Sequence, residues 1–485
     1  MTNETPLSSS SSRLDLPSWR FAIEKLGGLN GAPSPIRFTP LTLVCGPNNT
    51  GKTWVLYALY GFLTAPGFLK LPDIDQLTQD LRQTGQASWN LEAWLKNHGK
   101  RILTLIHQGA KRRLPQIFNS DPELFKESRF DWEVDVGALT ASALARELDY
   151  RLVLGRDSSD ALRLVKPAHH GEVQMTLMAP QLPDLNLIVT DVITRHLIGI
   201  PQRHAQRSGV FLMPAERNGL HLFYRELANR RTALLHHAAK KEKSIDIGQL
   251  ILDVVSSKYA EPIAHYIDWL NELPVARKNK GGPYHALAEE VKGIVNGRYE
   301  VDAEGDISFT PYKTKRGNGE TPPKMDLHLT SSTVKSLFGL WFYLEHEAQP
   351  GDLLMIDEPE LNLHPANQRR LARLLARLAN QDLRVVVSTH SDYLVREMNS
   401  LIMLSREAPV RDALLARFGY HPTETLKPEQ VSAWVFKDRA IEAMPISTEE
   451  GIAADTFDEV IHQLNDTSDA IYFAYQDALP TGEAD

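Results

Sequence analysis

The amino-acid sequence predicts an α/β fold, a parallel-stranded core split by one large insertion, and three stretches predict it. In the first, Leu41–Cys45 is a short apolar run of strand type that meets a glycine-containing loop and then a helix-like segment, WVLYALYGFL. In the second, Asp352–Glu360 (DLLMIDEPE) sets four apolar residues ahead of Asp357 and Glu358, the pattern of a buried parallel strand with carboxylates at its C-terminal edge. In the third, Pro365–Asn380 carries Leu371, Leu374, Leu375 and Leu378 at helical spacing and leads into a second buried strand, Leu383–Thr389. Strand, helix and strand in that order form the right-handed βαβ unit of a parallel sheet.

Composition narrows the classes. A chain of 485 residues is longer than one ordinary domain. With 53 Lys+Arg against 61 Asp+Glu the net charge is −8, which denies nucleic-acid binding a global electrostatic drive and leaves only local clusters to serve it. Those clusters are Lys100, Arg101, Lys111, Arg112 and Arg113; Arg230, Arg231, Lys240, Lys241 and Lys243; and Lys313, Lys315 and Arg316. The single cysteine, Cys45, permits no intrachain disulfide and points to a reducing, cytoplasmic setting. Residues 1–15 are polar and serine-rich without an apolar stretch, and read as a disordered leader rather than a signal peptide. The most membrane-like run, Thr53–Leu69, is short for a span and contains Gly61, Pro66 and Gly67, so a buried helix is expected and no membrane partner.

The loop after the first strand is Gly46, Pro47, Asn48, Asn49, Thr50, Gly51, Lys52 and Thr53, the G-x-x-x-x-G-K-[ST] spacing between strand and helix. Glycines let main-chain N–H groups close around phosphate oxygens, and the helix N-terminus adds its positive end. Lys52 is expected to reach the β and γ phosphates of ATP, and the Thr53 hydroxyl to ligate Mg²⁺. Asp357 is suited to hold Mg²⁺ through water, and Glu358 to polarise the attacking water. His390, at the end of the second buried strand, is expected to contact the γ-phosphate.

Together GPNNTGKT, LLMIDEPELNLHP and VVVSTHSDYL resemble the nucleotide-binding core of ABC-type ATPases, in the branch of SMC-like and OLD-family (overcoming lysogenisation defect) proteins. The resemblance implies an ABC-type P-loop ATPase core, a mixed sheet flanked by helices, with a large mainly helical insertion. It also implies a signature loop one helix before the acidic strand that contacts ATP on a partner subunit. LTSSTVKSL stands there, with Ser331, Ser332 and Thr333 where glycine is usual, and an ordinary helix N-cap is the competing account. Val210–Leu220 (VFLMPAERNGL) is similar to an element of stand-alone ATPases in anti-phage defence systems of the PARIS, Septu or Gabija type. In it Glu216 and Arg217 either approach the nucleotide or form an ion pair. No segment is identifiable as the glutamine loop.

The resemblance therefore divides the chain into the leader (1–15), the first core part with the P-loop (16–66), an insertion (67–299) that includes core strand 209–214, the second core part (300–405), and a C-terminal hairpin and helix (406–485). A hairpin is expected over 298–312, turning at Glu304-Gly305, and another around Asp438-Arg439; an amphipathic helix is expected over 455–479. No heptad run of SMC arm length is present. A nuclease of the TOPRIM kind needs a glutamate and then a D-x-D pair after the core; Asp73-Ile74-Asp75 lies in the insertion instead, and His169, His170, His236 and His237 show no metal-ligand spacing.

The expectation is an ATP-binding and hydrolysing switch that closes as a homodimer, or a larger even-numbered homo-oligomer. Its expected role is the ATPase sensor of an anti-phage system, triggered by a phage protein and acting with a separate effector such as a nuclease or toxin. The alternative is an SMC-like DNA-binding maintenance or repair ATPase.

Overall fold

The computed structural model describes residues 19–31, 35–64, 71–133, 135–154, 159–198, 209–226, 259–278, 281–312, 322–437, 440–453 and 466–474. The expected leader, the basic clusters at 230–243 and 313–316, the turn at 438–439 and most of the helix expected over 455–479 lie outside these residues.

The chain opens with β1 (Trp19–Leu26), which pairs antiparallel with β2 (Leu29–Asn30) and β3 (Ile36–Phe38), and runs through β4 (Leu41–Cys45) into helix α1 (Lys52–Leu63). The run from Val55 to Leu63 is buried throughout, as its apolar composition requires. The insertion then contributes α2 (Ile74–Thr84), β5 (Gln86–Asn90), the 27-residue α3 (Leu91–Ile117), β6 (Arg129–Glu133) and α4 (Val136–Ala145). Strand β6 returns to pair with β1. The alternating stretches that follow form β7 (Leu148–Leu154), β8 (Ser159–Lys166) and β9 (Glu172–Leu177), and with β5 they build an antiparallel sheet in the order β5-β9-β8-β7. The described part of the insertion is thus helices around a small sheet, with α5 (Leu185–Val192) closing it.

The core resumes with β10 (Val210–Met213) and continues through α6 (Glu261–Ala276), α7 (His285–Val295), β11 (Gly297–Val301), β12 (Ile307–Pro311) and β13 (Met325–Asp326). Strands β11 and β12 pair antiparallel about a turn at Glu304-Gly305. Next come α8 (Ser332–His346), β14 (Leu353–Asp357), α9 (Pro365–Asn380), β15 (Arg384–Thr389) and α10 (Asp392–Met403). Leu371, Leu374, Leu375 and Leu378 of α9 are all buried, and each fully buried leucine side chain contributes about 2 kcal/mol.

The central sheet has six strands in the order β10-β14-β15-β4-β16-β17, where β16 is Val431–Lys437 and β17 is Ala440–Ala443. Five strands run parallel and β17 runs antiparallel at the edge, so the sheet is mixed. Strands β4, β10 and β14 are buried along their whole length because both faces are covered there. The period of two sorts them: Val44, Met355 and Val386 join the core that holds α1 and α3, while Leu41, Leu43, Leu354, Ile356, Val385 and Val387 join the core that holds α8 and α9. The C-terminal hairpin is integral to this sheet, since β16 pairs with P-loop strand β4 along its whole length.

Candidate functional site

A parallel sheet delivers all its strand ends to one edge, and here β4, β14 and β15 deliver the phosphate-type loop, the acidic pair and the histidine to the same place. Register fixes the meeting: Asp357 lies opposite Ser388, and Thr389 opposite Cys45.

The loop after β4 has the conformation that its glycines permit. Gly46 has φ 141° and Gly51 has φ 98°; a Cβ at Gly46 would stand 2.4 Å from the Phe436 carbonyl of β16, and one at Gly51 would stand 2.3 Å from Leu29. The C-terminal strand therefore forms one wall of the loop. Asn49 also has positive φ (64°), and the Thr50 hydroxyl closes the turn on the Pro47 carbonyl at 2.9 Å. Lys52 opens α1, with its ammonium donating to the carbonyls of Gly46 (2.8 Å) and Pro47 (2.7 Å). Burial lowers the Lys52 pKa, opposed by the negative charges of Glu358, Asp357 and Glu360. Cys45 is fully buried on the strand before the loop, and burial pushes its thiol up to about 12, which leaves it an apolar filler.

Asp357 is 1% exposed, and hydroxyls hold both its oxygens: Thr53 Oγ1 donates to Oδ2 at 2.8 Å, and Ser388 Oγ donates to Oδ1. A threonine hydroxyl beside a carboxylate is the hard-oxygen donor set that suits Mg²⁺. Glu358 follows with φ 50°, a left-handed conformation that turns the chain out of the strand. Its main-chain N–H donates to Ser388 Oγ at 3.0 Å. Burial raises the Glu358 pKa, the imidazole of His390 opposes the rise, and Asp357 adds to it. His390 Nδ1 lies 3.5 Å from Glu358 Oε1 and 3.4 Å from Glu360 Oε1.

Three participants escaped the sequence reading. Ser388 links Asp357 to the Glu358 main chain, and although it falls in the expected buried strand, nothing in VVVSTHS pairs it with the acidic strand. Glu360 is 4% exposed and accepts from the Thr389 hydroxyl (2.7 Å) and the His390 N–H (2.8 Å), so it seats the histidine; the second glutamate of DEPE was its signal. Tyr57, one turn beyond Thr53, is buried, and burial together with Glu216 and Asp357 raises its pKa.

The PAER element departs from the ion-pair expectation for Arg217. Strand β10 lies beside β14, and the Arg217 side chain turns inward and donates to main-chain carbonyls, those of Asp357 and Glu358 among them, rather than to a carboxylate. Glu216 is exposed at the sheet edge.

Of the signature candidates, Ser331 caps α8, its hydroxyl accepting from Val334 N–H at 3.3 Å, and both Ser331 and Ser332 are exposed. Thr333 instead donates to the Asn362 carbonyl at 2.7 Å, tying α8 to the loop that follows the acidic strand. The N-cap account thus holds for Ser331. Among the described residues no helix is long and apolar enough to cross a membrane.

A family model described as "AAA domain, putative AbiEii toxin, Type IV TA system" matches residues 227–396, a span that holds the serine-rich loop, the acidic strand and the histidine. Over those residues the chain is similar to AAA-type ATPase domains. A search among curated proteins finds no match. Among solved structures, the SMC head domain from Thermotoga maritima aligns over 89% of this chain and 99% of its own, at 12% identity and a TM-score of 0.30. The Smc head domain with an extended coiled coil from Pyrococcus furiosus, bound to the C-terminal domain of ScpA, aligns over 93% of this chain and 100% of its own, at 13% identity and a TM-score of 0.33. An SmcHead bound to the C-winged helix domain of ScpA aligns over 88% and 97%, at 12% identity and a TM-score of 0.34.

Proposed function

We propose that this protein binds and hydrolyses ATP and works as a switch whose ATP-bound form is a closed homodimer. The observation that carries the reading is the convergence of Lys52, Thr53, Asp357, Glu358 and His390 at one edge of the central sheet, linked by the Thr53–Asp357 hydrogen bond and the His390–Glu358 approach. In this reading the loop amides of residues 46–53 cradle the phosphates and Lys52 neutralises the β and γ oxygens. Thr53 and Asp357 hold Mg²⁺, which supplies charge neutralisation along the triphosphate when bound. Glu358 takes a proton from the attacking water, with His390 facing the γ-phosphate. Exposed Ser331 and Ser332 complete the partner protomer's site.

Because Glu358 works as its carboxylate and its pKa is raised, kcat is expected to fall as pH drops through a value above the ordinary 4.5. A pH–rate profile checks this, and an acidic limb that persists unchanged in Glu358→Gln would assign it to another group.

The composite site has its own test. Lys52→Ala and Ser332→Arg chains are each expected to be inactive alone. Mixed, they should recover about a quarter of wild-type turnover, because half of randomly paired dimers hold one intact site of two. No recovery on mixing would remove the trans role of the serine loop.

We further propose that the switch is the ATPase sensor of an anti-phage system, triggered by a phage protein and acting with a separate effector. Support comes from the matched family's description, which names a "putative AbiEii toxin" and a "Type IV TA system". One observation favours the DNA-binding alternative: Lys96, Lys100, Arg101, Lys111 and Arg112 are exposed along α3. Duplex binding that weakens steeply with salt and is lost on reversing these charges would select it.

A further inference from the structure

Arg217 is 1% exposed, and burial lowers its pKa, yet its guanidinium is directed at four main-chain carbonyls. Nη1 donates to Asp357 O at 2.8 Å and to Pro214 O at 3.1 Å; Nη2 donates to Glu358 O at 2.8 Å; Nε donates to Ser336 O at 3.1 Å. The carbonyls of Asp357 and Glu358 belong to the two peptide units that flank the Glu358 Cα. One planar fork thus fixes both planes. The N–H of the first of these peptides is fixed from the other side by Ser388 Oγ at 3.0 Å. With both planes held, the left-handed backbone of Glu358 (φ 50°) is set, and so is the direction in which its carboxylate leaves the chain. A glutamate would not keep this conformation unaided, since positive φ crowds Cβ against the main chain.

The remaining bond reaches α8. Ser336 lies one turn inside the helix that begins at exposed Ser332, and its own hydroxyl donates to Leu361 O at 2.9 Å. A shift of the first turn of α8 would therefore be felt at the Arg217 fork.

We infer that Arg217 is a positioning residue for Glu358, and that it ties the serine-rich start of α8 to the hydrolytic carboxylate. The inference rests on the ATPase reading and deepens it. Arg217 touches no phosphate in this account; it acts through the backbone of Glu358.

The test is Arg217→Lys, because an ammonium is a point donor and cannot span both peptide carbonyls as the fork does. Expected are ATP affinity within about threefold of wild type and a kcat lower by about 10- to 100-fold, the scale of a misplaced reacting group. A merely structural role would not produce the next signature: the Arg217→Lys, Glu358→Gln double variant should be no slower than Glu358→Gln alone. Arg217→Gln is the second variant, and the reading is taken from whichever keeps the wild-type thermal midpoint. Undiminished kcat, or losses that multiply in the double variant, would overturn the inference alone. Failure of both variants to fold would make Arg217 a stability residue and overturn it too. A wild-type chain that binds no ATP or does not hydrolyse it would overturn the ATPase reading, and this inference with it.

Discussion

Replacing Lys52 with alanine is expected to lower ATP affinity about a hundredfold, the ~3 kcal/mol scale of truncating one member of a buried charge arrangement, and to bring hydrolysis below detection. Lys52 is 5% exposed and lies among the negative charges of Asp357, Glu358 and Glu360. Without it, a triphosphate would enter a site whose remaining side-chain charges are mostly of its own sign. The two loop carbonyls that its ammonium satisfies, Gly46 O and Pro47 O, would lose their donor as well. Calorimetric titration with ATP and a phosphate-release assay check both effects. An affinity within a few fold of wild type would place the nucleotide elsewhere.

Replacing Glu358 with glutamine is expected to separate binding from turnover. The substitution keeps size and shape and removes the only function assigned to the carboxylate, so ATP affinity should hold within a few fold while kcat falls by about 10²- to 10⁴-fold. If ATP closes a dimer, this variant should stay dimeric with ATP and Mg²⁺ and return to monomer with ADP, as read by light scattering. The amide also leaves the His390 approach without its charge, so the variant tests the glutamate and the glutamate–histidine pair together. Undiminished turnover would remove the role assigned to Glu358. Slow turnover without an ATP-stabilised dimer would retain the chemistry and remove the switch.

The sequence by itself determined the elements that carry the glycine-containing loop, the acidic pair and the histidine. GPNNTGKT between an apolar strand and a helix, and DEPE at the end of an apolar strand, are local patterns whose spacing carries their meaning, and periodicity was enough to call the leucine face of α9. What neighbours what was decided by the tertiary structure. Strand β10 is expected in the core and β16 in a hairpin after it, yet both join the one sheet, β10 beside the acidic strand and β16 beside the P-loop strand. Only the parallel register brings Ser388 to Asp357, and only the packed sheet puts the Phe436 carbonyl where a Cβ on Gly46 would go. Arg217 shows the limit most clearly. As a letter in PAER it offers a nucleotide approach or an ion pair, because sequence records charge but not which face of a helix start turns inward. Its place behind Glu358 follows from the pairing of two strands more than a hundred residues apart in the chain, a non-local contact that no periodic pattern encodes.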